Sequence, residues 1–450
     1  VKLMGGERIV FHPAAQGKAE REDVQNADII LGNVSPKLIS TGDKLKWLQT
    51  NSAGVDGYIH GCLPKETVLT NATGAYGLAI SEYMVAVWLE LLKKLHLYRD
   101  VQRTGKWCDL GQVRSAWNST VLVLGLGDIG PAASLPVMEG KSALYKRFGN
   151  VDAIPIVINT KDPDEFIHTV QLLEKSFAGI NLEDLSSPKC YDIEDKLKAT
   201  MNIPVFHDDQ HGTAIAALAA VLGGLRLVGK KIDEVKVVMN GAGAAGSAIA
   251  RLLLEAGVKD ENMTILNSKG IMYDNGKLDR IQKELAARVN PENKQGTLAE
   301  AVKGADVLLG CSAPGVFTPE IVKNMAEKNI VFAMANPTPE MMLDAAREAG
   351  VYIFGTGRSD MPNQVNNSSV FPGLFRGALD VRARQINEEM KLAAAYALAN
   401  LMPDEELSPD HVVVDVFDPR VPKAVAKAVA KAAVETGVAR MKELPEQYRD

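Results

Sequence analysis

Short apolar runs separated by polar turns recur along this chain, and their spacing alternates between strand and helix periods. Ala27 to Gly32 and Leu45 to Thr50 read as strands of a parallel sheet, within an α/β N-terminal region covering residues 1–118. Ser81 to Arg103 carries apolar residues at helical spacing and predicts a long helix that stops before Gly105. A second segment, residues 119–225, opens on a strand from Ser119 to Leu124. It continues through a strand at Ala153 to Ile158 and a helix at Glu165 to Ser176, and closes on an Ala-rich, buried helix from Thr213 to Leu225.

The alternation is clearest in the third segment, residues 226–450. Val235 to Asn240 runs into Gly241-Ala242-Gly243-Ala244-Ala245-Gly246, a helix carries the chain to Gly257, and Thr264 to Leu266 is the next strand. Asp306 to Gly310, Ile330 to Met334 and Val351 to Gly355 follow, with helices between them. This pattern predicts an α/β fold with a doubly wound Rossmann-type NAD(P)-binding domain over roughly 226–375, preceded by the α/β N-terminal region and followed by a helical tail. On the tail, Lys423, Lys427 and Lys431 stand four apart on an Ala/Val helix, as expected of the solvated face of a packed helix.

A strand before Gly241, Gly243 and Gly246 and a helix after them give this glycine spacing its meaning. The glycines permit a tight turn, a close approach of a pyrophosphate and close helix packing. Gly241, Gly243, Ala244, Ala245 and Gly246 are therefore expected at the dinucleotide. Asn267 ends the second strand, where a carboxylate would bond both ribose hydroxyls and repel a 2′-phosphate. Asn267 removes that repulsion and Lys269 can offset a phosphate charge, so NAD and NADP both stay open. Gly125, Gly127 and Gly130 fit the same fingerprint poorly, because Pro131 follows at once and no acidic residue ends a second strand at the expected distance.

Two acidic pairs stand at the ends of apolar runs: Glu183-Asp184 and Asp208-Asp209. Isolated buried carboxylates are costly, so such acids need a cation to face. A hard divalent ion such as Mg²⁺ or Mn²⁺ takes oxygen ligands in octahedral geometry. Lys141, near these acids and a metal, is expected to have a lowered pKa and to serve as a general base.

The bulk properties narrow the rest. At 450 residues the chain has room for two or three domains, and its composition is that of an ordinary globular protein. A net charge of −6 argues against nucleic acid as a partner. Cys62, Cys108, Cys190 and Cys311 form no CxxC and no zinc framework, which suits a reducing compartment. The opening residues lack a signal-peptide pattern, and the Ala214 to Leu225 run is too short and too Gly-interrupted for a membrane span. The expectation is a cytoplasmic protein with a small-molecule substrate and no membrane partner.

From Gly125 to the end, the motifs resemble malic enzymes in their short prokaryotic form. The resemblance is carried by GLGDIGPAASLPVMEGKSALYK (125–146), GINLEDL (179–185), IPVFHDDQHGT (203–213), NGAGAAG (240–246), AMANPT (333–338) and QVNNSSVFPG (364–373), in that order. It implies oxidative decarboxylation of (S)-malate to pyruvate and CO₂ with NAD or NADP and a divalent metal. It also implies that Glu183, Asp184 and Asp209 bind Mg²⁺ or Mn²⁺, and that Lys141 is the general base on the C2 hydroxyl, tuned by Asp208. Asn336 and Asn367 would contact substrate or nicotinamide, with Asn366 the lesser candidate of its pair. A homodimer fits the family habit.

Residues 1 to about 130 instead resemble the front of a D-isomer-specific 2-hydroxyacid dehydrogenase, through LKWLQTNSAGVDGY (45–58), LTNATGAYGLAISE (69–82) and GLGDIG (125–130). The Ala-Tyr-Thr-Pro-Gly-Val segment, whose tyrosine protonates the enol in malic enzymes, is not found. Tyr76 belongs to the dehydrogenase-like front, and Tyr145 is expected to be a packing residue. Two alternatives follow. A D-2-hydroxyacid dehydrogenase would need an Arg/Glu/His set after the glycine motif, which the sequence does not show. An NAD(P)-binding hybrid with impaired catalysis would bind dinucleotide without turnover.

Overall fold

The computed structural model describes residues 21–50, 58, 61–70, 95–103, 121–125 and 131–449. The chain divides into two compact units, Val1–Ala116 and Trp117–Asp450.

In the first unit, β1 (Ile29–Leu31), β2 (Trp47–Gln49) and β3 (Val68–Thr70) form a parallel sheet with Ile30, Leu48 and Leu69 in register. Ile39, Leu45, Leu48 and Tyr58 make a small core on it. Ile29, Leu31, Trp47 and Val68 are exposed. Of the helix expected over Ser81 to Arg103, Leu95–Arg103 is described and is helical. Tyr76, Gly127 and Gly130 lie outside the described residues.

The second unit holds two sheets. The first is four parallel strands, β4 (Val121–Gly125), β5 (Ala153–Val157), β6 (Gly179–Glu183) and β7 (Val205–His207), in the order β5-β4-β6-β7. The helix after β5 runs Pro163–Leu173, starting two residues before the expected Glu165, and a short 3₁₀ turn carries it on to Ser176. Asp162 accepts hydrogen bonds from the amides of Asp164 and Glu165, and Pro163 fills the first helical position.

The second sheet contains β8 (Val237–Asn240), β9 (Met263–Asn267), β10 (Gly270–Ile271), β11 (Val307–Gly310), β12 (Ile330–Ala333) and β13 (Ile353–Thr356), in the order β10-β9-β8-β11-β12-β13. All pairs are parallel except the short β9–β10 hairpin. Strand order reverses between β8 and β11, which opens the crevice where doubly wound folds bind ligands. The Rossmann expectation is met.

Both sheets draw on one hydrophobic core. The helix Thr213–Val228 is almost wholly buried and packs on the helices Ala244–Glu255 and Glu388–Ala399. With the turn before it, this helix is long and apolar enough to cross a membrane by composition, but its apolar surface is spent inside the fold. The helices Phe371–Asp380 and Arg420–Glu435 pack together closely, because β-carbons on Gly373 and Gly377 would strike the Pro422 and Ala426 carbonyls. Val421, Val425 and Val429 face inward while Lys423 and Lys431 are exposed, as the sequence predicts.

Candidate active site

Strand register assembles the acidic residues. Leu182 of β6 pairs with His207 of β7, so Glu183-Asp184 and Asp208-Asp209 leave adjacent parallel strands side by side at their carboxyl ends. The Asp184 amide donates to Oδ2 of Asp209 at 2.7 Å and ties the two loops. Asp184 holds a left-handed backbone, φ 53°, which Asp tolerates better than most residues. After β7 the chain makes one π-helical turn, Asp208–Gly212, before the Thr213 helix begins; such turns recur at functional sites.

Lys141 comes from the helix Pro131–Gly149. Its Nζ makes an ion pair with Asp208, lies 2.9 Å from Oε1 of Glu183 and sits 4.8 Å from the centre of the Phe371 ring. Sequence reasoning expects a lowered lysine pKa with a metal beside it; the protein groups alone act in the opposite direction. Burial does push the ammonium down, but Asp208, Glu183 and Asp209 outweigh burial and raise it. Burial pushes the Asp208 carboxyl up to about 6 against the pull of Lys141, and pushes Glu183 well above the usual carboxylate range. Four carboxylates around one ammonium cannot all ionise easily without more positive charge.

Three of those carboxylates are arranged to receive it. Oxygens of Glu183, Asp184 and Asp209 lie within 4.8 Å of one another. Oδ2 of Asp184 is buried without a hydrogen-bond partner among the described residues, although buried polar atoms are normally satisfied. Asp209 keeps 36% of its side chain exposed, which leaves the trio open on one side. Burial raises the Asp209 pKa, but the His207 bond and the nearby positive groups bring it down to about 2, so this ligand stands ready as a carboxylate. An all-oxygen donor set with an orphaned buried atom fits a hard divalent ion.

The dinucleotide expectation has an equally local basis. Gly241 holds φ 120°, and a β-carbon there would meet the Cys311 carbonyl. A β-carbon on Gly246 would overlap the Gly241 carbonyl, whereas one on Gly243 would meet nothing within 4 Å. Turn, close packing and open approach are thus divided among the three glycines, and the Ala244–Glu255 helix starts above the open one. Oδ1 of Asn267 accepts from the Lys269 amide at 2.9 Å, which places both residues on the turn after β9.

The family models find the same two pieces. Residues 117–198 match the malic enzyme N-terminal domain, and residues 210–434 match the malic enzyme NAD-binding domain. The bifunctional malic/malolactic enzyme of Bacillus subtilis is 52% identical over 79% of this chain and 86% of its own length. The chain belongs to the malic enzyme family. The NADP-dependent malic enzyme of Escherichia coli is 46% identical over 77% of this chain, which spans about half of that longer relative (47%). In structure, the malic enzyme of Pyrococcus horikoshii matches 87% of this chain and 90% of its own at 41% identity, with a TM-score of 0.70. The N-terminal family model takes in residues 125–130, so GLGDIG lies inside the malic enzyme portion. The dehydrogenase likeness of the front rests on sequence motifs alone.

Against this family background the remaining candidates fall into place. Asn367 abuts the turn at Gly212, whose β-carbon would lie 3.0 Å from its Cβ. Asn366 spends its Oδ1 on the Ser368 amide, which leaves Asn367 as the freer of the pair. Asn336 is exposed on the loop after β12 and faces Gly357. Tyr145 is fully buried between Phe371 and Phe375, in keeping with a packing residue, although its hydroxyl has no partner among the described residues.

Sequence reasoning missed Glu340, which is buried and accepts from the amides of Ser312 and Ala335, joining the loops after β11 and β12. It also missed Gln282, which donates to the Ala242 carbonyl inside the glycine turn. The only signal for Gln282 was an amide three residues beyond the Asp279 cap, and Glu340, five residues past Ala335 in a polar loop, gave none.

Proposed function

We propose that this site oxidises and decarboxylates (S)-malate to pyruvate and CO₂, with NAD or NADP and Mg²⁺ or Mn²⁺. The observation that carries the reading is the position of Lys141 Nζ, against both Asp208 and Glu183 and beside the Glu183–Asp184–Asp209 trio. When bound, the nicotinamide accepts hydride from C2, while the cation polarises the C2 oxygen and cancels carboxylate charge that now holds the Lys141 proton.

The chain's own residues bind the reactants and move the C2 proton; the proton that C3 takes up when CO₂ leaves is assigned to none of them. Glu183, Asp184 and Asp209 hold the cation, and Lys141 takes the C2 hydroxyl proton at Nζ. Asp208 fixes the direction of that ammonium from a fully buried position. Asn367 and Asn336 hold the substrate and the nicotinamide between the two sheets. Gly241, Gly243 and Gly246, with Ala244 and Ala245, receive the pyrophosphate at the helix start, and Asn267 meets the adenosine ribose.

The test is NAD(P)H formation at 340 nm with L-malate, with and without Mn²⁺, for both cofactors. A metal-dependent signal that disappears in Lys141→Ala is expected. Full rate in Lys141→Ala, or no signal from cooperatively melting protein that binds dinucleotide, rejects the reading.

A further inference from the structure

A buried chain of hydrogen bonds runs behind the carboxylate trio, and the reaction as described does not use it. Lys391, 2% exposed on the helix Glu388–Ala399, places Nζ 2.7 Å from Oε1 of Glu388 and 3.0 Å from Nδ1 of His211. Nε2 of His211 lies 2.8 and 3.0 Å from the two oxygens of Glu194, which also meets Lys198 at 2.5 Å. Nε2 of Gln210 lies 3.1 Å from Oε2 of Glu194 and 2.6 Å from Nδ1 of His207. Nε2 of His207 then faces Oδ2 of Asp209 at 3.3 Å.

Matching donors to acceptors assigns each proton along this chain. Glu194 is paired with the Lys198 ammonium as a carboxylate, so it only accepts. His211 must therefore carry its proton on Nε2, and Gln210 must present its amide nitrogen. The Lys391 ammonium can only donate, so Nδ1 of His211 is bare and accepts from it. The second amide hydrogen of Gln210 fills Nδ1 of His207. The His207 proton is left on Nε2, which stands 3.3 Å from Oδ2 of Asp209 without a directed hydrogen bond to it.

We propose that Lys391 and Glu194 are positioning residues for the metal centre: through His211, Gln210 and His207 they fix the orientation of the Asp209 carboxylate. The inference rests on Asp209 being a metal ligand. Contacts behind a metal ligand commonly govern its geometry, and here hydrogen bonds run from Lys391, 182 positions away in the chain, to His207, whose Nε2 packs against Asp209.

Long-range ¹H–¹⁵N correlation spectra of the metal-free full chain at neutral pH test the proton assignment without any activity. Nδ1 of both His207 and His211 should be a bare acceptor, and an Nδ1–H at either overturns the proposal. Mn²⁺ titration by electron paramagnetic resonance tests the consequence. Lys391→Met and Glu194→Gln should each weaken Mn²⁺ binding about 10–100-fold, with KM for malate at saturating metal within about twofold of the parent. Lys391→Arg should recover part of the affinity. Unchanged Mn²⁺ affinity in a cooperatively folded Lys391→Met overturns the inference. If Asp209→Asn also binds Mn²⁺ normally, the metal assignment itself has failed; if Asp209→Asn loses binding, only the positioning role has. Should Lys391→Met not fold, Glu194→Gln and the spectra of the parent protein decide.

Discussion

Gly212 exists for Asp208. A β-carbon at position 212 would overlap Oδ1 of the Asp208 side chain, which turns back inside the π-helical turn to reach Lys141. The glycine is therefore a steric condition for the Lys141–Asp208 ion pair rather than a flexible joint.

Gly212→Ala should consequently push Asp208 away from Lys141. A displacement on the order of 1 Å near reacting groups can cost about 10²-fold in rate. The expected result is a kcat/KM for malate reduced by at least about that factor, with dinucleotide affinity retained in calorimetry. Parental kcat/KM in this variant would show that Asp208 need not hold Lys141.

The glycine turn at the cofactor allows a sharper contrast. Gly246→Ala should destabilise the unliganded protein by about 1–3 kcal/mol, because its methyl meets the Gly241 carbonyl. Gly243→Ala should leave the urea midpoint unchanged, since its methyl meets nothing and its φ of −79° suits alanine. It should still weaken NAD(P) binding, because the empty space is where a pyrophosphate comes close to the backbone. Equal effects of the two substitutions on stability would contradict this division of roles.

Cofactor choice can be moved at one position. Asn267→Asp retains the bond to the Lys269 amide and adds a charge beside the adenosine ribose. The ratio of kcat/KM for NADP to that for NAD should fall by about tenfold, through repulsion of the 2′-phosphate. Initial rates with both cofactors measure it, and an unchanged ratio would place the ribose elsewhere.

Stability should depend on pH with a definite sign. His211 has a folded pKa near 4 against an ordinary 6.5, so the unfolded chain binds the proton first. The stabilisation is complete above about pH 6.5 and is lost as pH falls toward 4, on the order of 3 kcal/mol in all. Glu194, also lowered, adds a loss of the same sign at still lower pH. Urea midpoints from pH 7 to 4.5 should fall, and His211→Asn should show a shallower slope. An equal slope in the variant would mean that His211 titrates normally in the fold.

Much of the architecture was already legible as pattern. β8, β9, β11, β12 and β13 are buried on both faces, so they read as continuous apolar runs. The glycine spacing needs only local backbone geometry, and it too could be read directly. β10 could not be seen, because two residues pair without any periodicity. The run at Ile29 to Leu31 shows the opposite limit: an apolar run names a strand but not what covers it.

The sequence by itself determined which residues are acidic, which runs are strands, and where a dinucleotide turn can form, since these follow from local sterics and hydrophobicity. Only the tertiary structure decided that Glu183, Asp184 and Asp209 face one point, because strand register is a property of two segments and not of one. It also gathered the carboxylates around the buried Lys141 ammonium that raise its pKa, which no single segment of sequence could show. It alone brought Lys391, from an unremarked Ala-rich helix, behind the metal-binding turn, since packing places side chains that sequence distance keeps apart.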